Sequence, residues 1–512
     1  MNIKRREFLS NVTLGSASLL LPNIVFSQSA NQPNELKLPE LLTGNQQQGK
    51  RAYQLSVQSG ISQFLPGLNT ATLGINSAYL GPTMKLRKDD DVLLRVRNAL
   101  EESTTLHWHG LHVPALSDGG PHQVIEPGAG WAPEFKVMQD AGTFWYHSHI
   151  VDRTGEQVYR GLAGMIIIED ENSNDLGLPA EYGVDDIPLI VQDRRFNNDG
   201  SLRYVQMHRD VMTGFYGDTV LVNGTHNPIF TPSSNKVRFR ILNAANARTF
   251  NFAFDDNRQF DLVSSDGGLL NAPISSDRLL LAPAERADIV VDVSDGRPFR
   301  LLSLPVPANS PFAPRGMMRN MHPLNTENMD ILAIQPQSNL RTSEALSPQL
   351  AAINSMEESA ATQERRFVLS MVMGMGMGMR GGPGGRGNRG GGPGRGMRNQ
   401  GNFFINNEAM DMAKINHRIK NGSTEIWRIE NDSMMMHPFH VHHGQFQILD
   451  RNRVPASAIE SGYKDTVKVG PGETVRFIMR FENFSDSENA YMYHCHILEH
   501  EDNGMMGQFT VE

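Results

Sequence analysis

From about Arg51 onward the chain is a succession of short apolar-rich runs: DVLLRVRN, EFKVMQ, GMIIIED, IPLIVQD, KVRFRILN, ADIVVDV, TEIWRIEN, QFQILD, TVRFIMRF and GQFTVE. Each is bounded by Gly, Pro, Asn or Asp. Runs of this length and punctuation build the strands of sandwiches or barrels, and no long amphipathic helical pattern competes with them. The expected fold is therefore all-β. At 512 residues a single core does not suffice. Three of the runs, DVLLRVRNAL, KVRFRILNAA and TEIWRIENDS, resemble one another and each ends a strand on Asn, which predicts three related β-domains. Polar stretches at 172–186 and 335–363 lack strand periodicity and divide the chain into domains over 50–172, 186–335 and 364–512. Inside the last, residues 371–400 are so rich in Gly, Pro, Arg and Met that they cannot build a packed core, and a surface insertion is expected there.

Before the first run stands NIKRREFLS, with Arg5 and Arg6 ahead of an apolar run from Val12 to Phe26. This has the form of a twin-arginine export signal, too short and too interrupted to span a bilayer. Residues 1–30 are read as a signal peptide and the mature protein as periplasmic. Lys+Arg of 47 against Asp+Glu of 56 gives a net charge of −9, which speaks against a nucleic-acid or anionic-membrane partner. Nothing in the chain demands more than a monomer. The single cysteine, Cys495, cannot form an internal bridge, so it is either inert packing or chemistry.

Cys495 lies between two histidines, and ten of the 17 histidines fall in four clusters: His107-Trp-His109, His147-Ser-His149, His437-Pro-Phe-His440-Val-His442, and His494-Cys495-His496 with His500 following. On a strand, residues two apart share a face and neighbours oppose each other. Each His-X-His is then a two-toothed clamp. One face gathers eight imidazoles, from His107, His109, His147, His149, His440, His442, His494 and His496. The opposite face gathers His437, Cys495 and His500, with Met505 as a weak axial sulfur. A trigonal His₂Cys site with a long axial Met describes a blue-copper electron-transfer centre. Zinc also takes His₂Cys sites, but it leaves the eight further histidines unexplained. Through Cys495 the two faces are covalently continuous, which gives electrons a short path from one metal to the others.

These clusters closely resemble those of the multicopper oxidases, over essentially the whole chain from Arg51, and most of all the bacterial periplasmic cuprous oxidases. The resemblance implies three cupredoxin-like Greek-key β-sandwich domains and four copper ions. Carried over by motif, His437, Cys495, His500 and Met505 hold type 1, His107 and His440 hold type 2, and His109, His147, His149, His442, His494 and His496 hold the type 3 pair. It implies four one-electron oxidations at type 1 coupled to reduction of O₂ to two waters, with Asp118 and Glu501 as the acidic residues beside the cluster. The donor is Cu(I), or in a laccase-like reading a small phenol or aromatic amine. Met371, Met373, Met375, Met377 and Met379 match a methionine-rich segment that offers soft ligands for Cu(I). Met435 matches a donor ligand. Where the cuprous oxidases place an Asp this chain has Ser433, with Asp432 one step earlier. The competing reading from another class is a copper-sequestering or scaffold protein.

Overall fold

The computed structural model describes residues 33–321, 327–372 and 402–512. The expected signal peptide and Met373, Met375, Met377 and Met379 lie outside the described residues.

The runs read from the sequence are strands: DVLLRVRN is Asp91–Asn98, KVRFRILN is Lys236–Asn243 and STEIWRIEN is Ser423–Asn431. Alternate side chains of these strands go into the core of their own sandwich; the intervening ones are largely exposed in Asp91–Asn98 but buried in Lys236–Asn243. The strands assemble into six sheets, two for each of three sandwiches. Each sandwich repeats one topology. Its opening long strand pairs in parallel with the strand that ends on Asn: Lys50–Ser62 with Asp91–Asn98, Asp186–Arg194 with Lys236–Asn243, and Gln363–Met371 with Ser423–Asn431. The facing sheet is closed by a second parallel pair, Thr83–Arg87 with Ala163–Glu169, Pro228–Phe230 with Met329–Ile334, and His417–Ile419 with Met506–Val511. Parallel neighbours need crossovers between the two sheets, which is the Greek-key wiring of a cupredoxin-like sandwich.

The repeated Asn has a structural cause. In all three domains its Oδ1 accepts from the backbone N–H two residues on, Leu100, Ala245 and Ser433. Its Nδ2 donates to two carbonyls: Glu102 and Ile125, Arg248 and Leu281, Met435 and Val469. One amide thus satisfies three backbone groups where the strand turns away.

Each sandwich has its own apolar core, around Tyr53, Leu94 and Phe144 in the first, Phe239, Phe252 and Ile289 in the second, and Trp427, Phe439 and Phe477 in the third. One feature was invisible in the sequence. Ahead of the first long strand, Asn34–Glu35 joins a sheet of the middle domain while Leu41–Leu42 joins the first, so this segment ties the two together. Two-residue strands carry no periodicity to read.

Candidate metal centre

Strand pairing brings the histidine clusters together. His107–His109 lies antiparallel to Gly142–His147, setting His107 opposite His147. In the third domain His440 pairs with His494, and Phe439 with Cys495. The expectation that each clamp lies within one strand holds for His107 and His109 alone. His149, His442 and His496 sit just past strand ends and are fixed there by backbone bonds from their N–H groups to Thr105 Oγ1, the Met492 carbonyl and the Pro438 carbonyl.

All eight imidazoles are buried and converge, as expected. Groups within ligating reach are His107, His109 and His147; His107, His440 and His442; and His149, His442 and His494. Nε2 of His494 is 3.3 Å from Nε2 of His149 and 3.4 Å from that of His442. His147 Nε2 faces His109 Nδ1 at 3.4 Å. His496 completes that group, its ring 5.1 Å from His109 and 5.3 Å from His147.

Most of the outward nitrogens are held. Nδ1–H of His107, His147 and His440 donates to the carbonyls of Asp118, Ser148 and Asp465, at 2.9, 2.7 and 2.8 Å. His442 Nδ1–H donates to Asp118 Oδ2 at 2.7 Å. His494 Nδ1–H donates to the Cys495 carbonyl at 3.1 Å, and Glu501 lies close to His149 Nδ1 and His494 Nδ1, at 3.2 and 3.1 Å, without a hydrogen bond to either. Only His109 is reversed, donating Nε2–H to Asp465 Oδ1 at 3.0 Å. Such anchoring fixes the tautomer and aims the remaining nitrogen inward.

Those inward nitrogens supply the test of whether a metal fits. His107 Nε2, His440 Nε2 and both ring nitrogens of His496 are buried without a hydrogen-bond partner among the described residues. A buried polar atom left so is costly unless something else satisfies it. Burial, then neighbouring imidazoles, hold His109, His147, His149 and His440 well below the usual histidine range, and bring His442 to about 3. Neutral imidazole is the ligating form. Burial alone would raise Asp118, but His442 and His107 outweigh it and keep the carboxylate ionised. The donor set fits borderline, imidazole-loving metals such as copper.

The second site is the expected trigonal one. His437 Nδ1 and His500 Nδ1 lie 3.4 and 3.7 Å from Cys495 Sγ and 3.3 Å from each other. Met505 is fully buried next to them, its carbonyl accepting from the Cys495 N–H. Burial pushes the thiol up, so the thiolate form needs a cation in the pocket. His500 Nε2–H donates to the Met212 carbonyl. Ser433 Oγ–H donates to the Met435 carbonyl, which leaves its oxygen to accept from His437 Nε2–H at 2.8 Å.

The residues around His500 each face a different partner. Glu499 accepts from Tyr204 Oη, Asn246 Nδ2 and the Phe215 N–H at 2.8, 2.8 and 2.9 Å, all in the middle domain. Glu501 faces the eight-histidine group. Asp502 accepts from the N–H groups of Thr154 and Gly155 in the first domain, both at 2.9 Å.

Of the donor-binding expectations, Asp432 is exposed, Met371 is half-buried at a strand end, and Met435 is buried in the core. Sequence reasoning missed three exposed thioethers near the trigonal site. Met434 stands beside Ser433; Met317 follows Gly316, against which Met434 Sδ packs; Met207 caps the short helix that ends at Met212. It also missed Asp465. Its signal was a Lys-Asp pair heading the apolar run TVKV. His443, next to His442, is turned instead towards His112 and Tyr491, 4.7 and 4.9 Å between ring centres.

Sequence models of the multicopper oxidase family match residues 56–173, 196–300 and 393–512. A multicopper oxidase of Staphylococcus haemolyticus is 35% identical over 488 residues, covering 94% of each chain. Cell division protein FtsP of Escherichia coli is 32% identical, covering 100% of this chain and 99% of its own. A solved laccase-like multicopper oxidase, CueO from Ochrobactrum sp., with oxidase activity towards lignin model compounds, superposes with a TM-score of 0.79. It is 33% identical and the match covers 93% of this chain and 100% of that one.

Proposed function

The chain belongs to the multicopper oxidase family, and on that premise we propose that it is an exported cuprous oxidase serving copper tolerance in the periplasm. In this reading four copper ions, when bound, supply four one-electron oxidations of Cu(I) at type 1 and the reduction of one O₂, with four protons, to two waters at the trinuclear cluster. His437, Cys495, His500 and Met505 hold type 1; His107 and His440 hold type 2; His109, His147, His149, His442, His494 and His496 hold the type 3 pair. Cys495 joins the sites through its bonds to His494 and His496. Of the two carboxylates beside the cluster histidines, Glu501 would relay the protons that reduction consumes, and the ionised Asp118 would orient His442 and draw protons towards the cluster.

The observation that carries the choice of donor is that Met434, Met317 and Met207, on segments next to residues that bond His437 or His500 or pack on Met434, are exposed, as is Asp432. Soft sulfur favours Cu(I) over a phenol. Met435, the next residue after Met434, is buried, and in this reading the methionine-rich sequence from 371 to 379 would offer further soft sulfur. The likeness to a cell division protein makes a role other than oxidation the competing reading, against which stands the presence of all twelve candidate ligand positions.

Steady-state O₂ uptake by the copper-loaded protein decides. Cu(I) delivered by a weak chelator should give a specificity constant well above that of a bulky phenol, and Met434→Ala with Met317→Ala should lower it for Cu(I) alone. Preference for the phenol makes the protein a laccase, and no uptake with either donor leaves the scaffold reading.

A further inference from the structure

The middle domain supplies none of the twelve ligands, yet one of its side chains reaches the cluster. Arg286 opens the strand Arg286–Asp292 and is fully buried. A guanidinium has five N–H donors, and all of them are used. Nε–H donates to the Thr143 carbonyl of the first domain at 3.1 Å. Two donate to the Ala284 and Asp266 carbonyls of its own domain, at 3.1 and 2.7 Å. The remaining two form a fork on Asp465 of the third domain, 2.7 Å to Oδ1 and 2.6 Å to Oδ2.

Asp465 in turn grips two cluster histidines. Its Oδ1 accepts from His109 Nε2–H at 3.0 Å and its carbonyl accepts from His440 Nδ1–H at 2.8 Å. The two rings stack on each other with centres 3.7 Å apart and planes at 14°. His109 and His440 come from different domains, so their spacing is the junction between those domains. The HWHG motif leaves room for the fork: a Cβ on Gly110, whose φ is +85°, would lie 2.4 Å from Asp465 Oδ2 and 3.0 Å from Arg286 Nη2.

We propose that Arg286 and Asp465 are positioning residues of the trinuclear cluster, through which the copper-free middle domain sets the orientation of His109 and His440. Bidentate arginine–carboxylate pairs fix direction as well as distance. Carboxylates that hold a ligand histidine contribute about 10-fold to 100-fold in metal affinity. The assignment rests on the cluster holding copper and not on which donor is oxidised.

The test compares Arg286→Met, Arg286→Lys and Asp465→Asn with Lys468→Met. Lys468 is the control because its ammonium forms a buried pair with Glu285 across the same two domains, at 2.6 and 2.7 Å, without bonding a histidine. Apo protein is titrated with copper against a chelator, following copper per chain and the near-ultraviolet absorption of the type 3 pair relative to the blue type 1 band. The three Arg286 and Asp465 variants should lose cluster affinity by about 10-fold to 100-fold while the blue band per chain stays at the wild-type level. Lys468→Met should lose thermal stability and keep its cluster. Parallel loss of type 1 and cluster copper, loss of the cluster in Lys468→Met, or wild-type loading in Asp465→Asn would each overturn the proposal. Wild-type loading in Arg286→Lys would overturn the role of the fork. Should Arg286→Met fail to fold, the isosteric Asp465→Asn carries the result.

Discussion

Cys495 is buried between two imidazole nitrogens on one side of its strand, while the histidines on either side of it join the other group. Serine there keeps the shape and removes the thiolate, the strongest donor of the trigonal set. Cys495→Ser is expected to fold with unchanged far-ultraviolet dichroism, lose the blue absorption entirely and lose turnover at least about 100-fold; retained blue colour would sink the type 1 assignment. His417 poses a different question. Its ring lies against Phe367 and Tyr493, its Nε2 is buried without a hydrogen-bond partner among the described residues, and burial, aided by Arg365, brings it down to about 4. A histidine depressed in the folded state stabilises the fold above its ordinary value of about 6.5, and this contribution is lost as pH falls from there towards 4, because only the unfolded chain takes up the proton. Urea midpoints at pH 7 and pH 4.5 should therefore differ less in His417→Phe than in the wild type. An equal difference would mean that other groups carry the acid sensitivity.

Among the elements, the three strand-ending asparagines are the clearest case of sequence speaking for structure. Asn98, Asn243 and Asn431 recur because each closes the same gap in the same parallel pair. Truncating Asn98 to Ala removes the partners of the Leu100 N–H and the Glu102 carbonyl and one of the two donors to the Ile125 carbonyl, and about 1–3 kcal/mol of stability should go with it. Calorimetry on Asn98→Ala would show this as a lower melting temperature, and an unchanged one would mean that water replaces the amide. The long strands were legible because their alternation repeats over many residues, whereas the two-residue strands before Lys50 had nothing to repeat. Period-two reasoning picked out histidines that converge, for a reason that is only half right. His149, His442 and His496 lie beyond strand ends, where backbone bonds and not the pleat hold them.

At the scale of the whole molecule, the eight histidines come half from the first domain and half from the third, so filling the cluster ties the two together. Copper that binds only this folded arrangement stabilises it by mass action, about 4 kcal/mol at a thousandfold excess over the dissociation constant. Chelation should lower the melting temperature by several degrees and make it depend on added copper; identical melting of apo and loaded protein would argue that the domains dock without metal. The histidines that converge were legible as a set because spacing repeats within each cluster. Arg286 and Asp465 were not, since 179 residues separate them and each alone reads as an ordinary charge beside a strand. The stretch from Glu499 to Asp502 has a further consequence. Neighbouring side chains there hold the middle domain, a trigonal-site ligand, the eight-histidine group and the first domain. A single inserted or deleted residue would pass every side chain to the wrong neighbour at once. Relatives that keep both metal sites should therefore vary this stretch in identity and never in length, so that evolution tunes these centres by exchange of side chains and leaves growth of the chain to other loops.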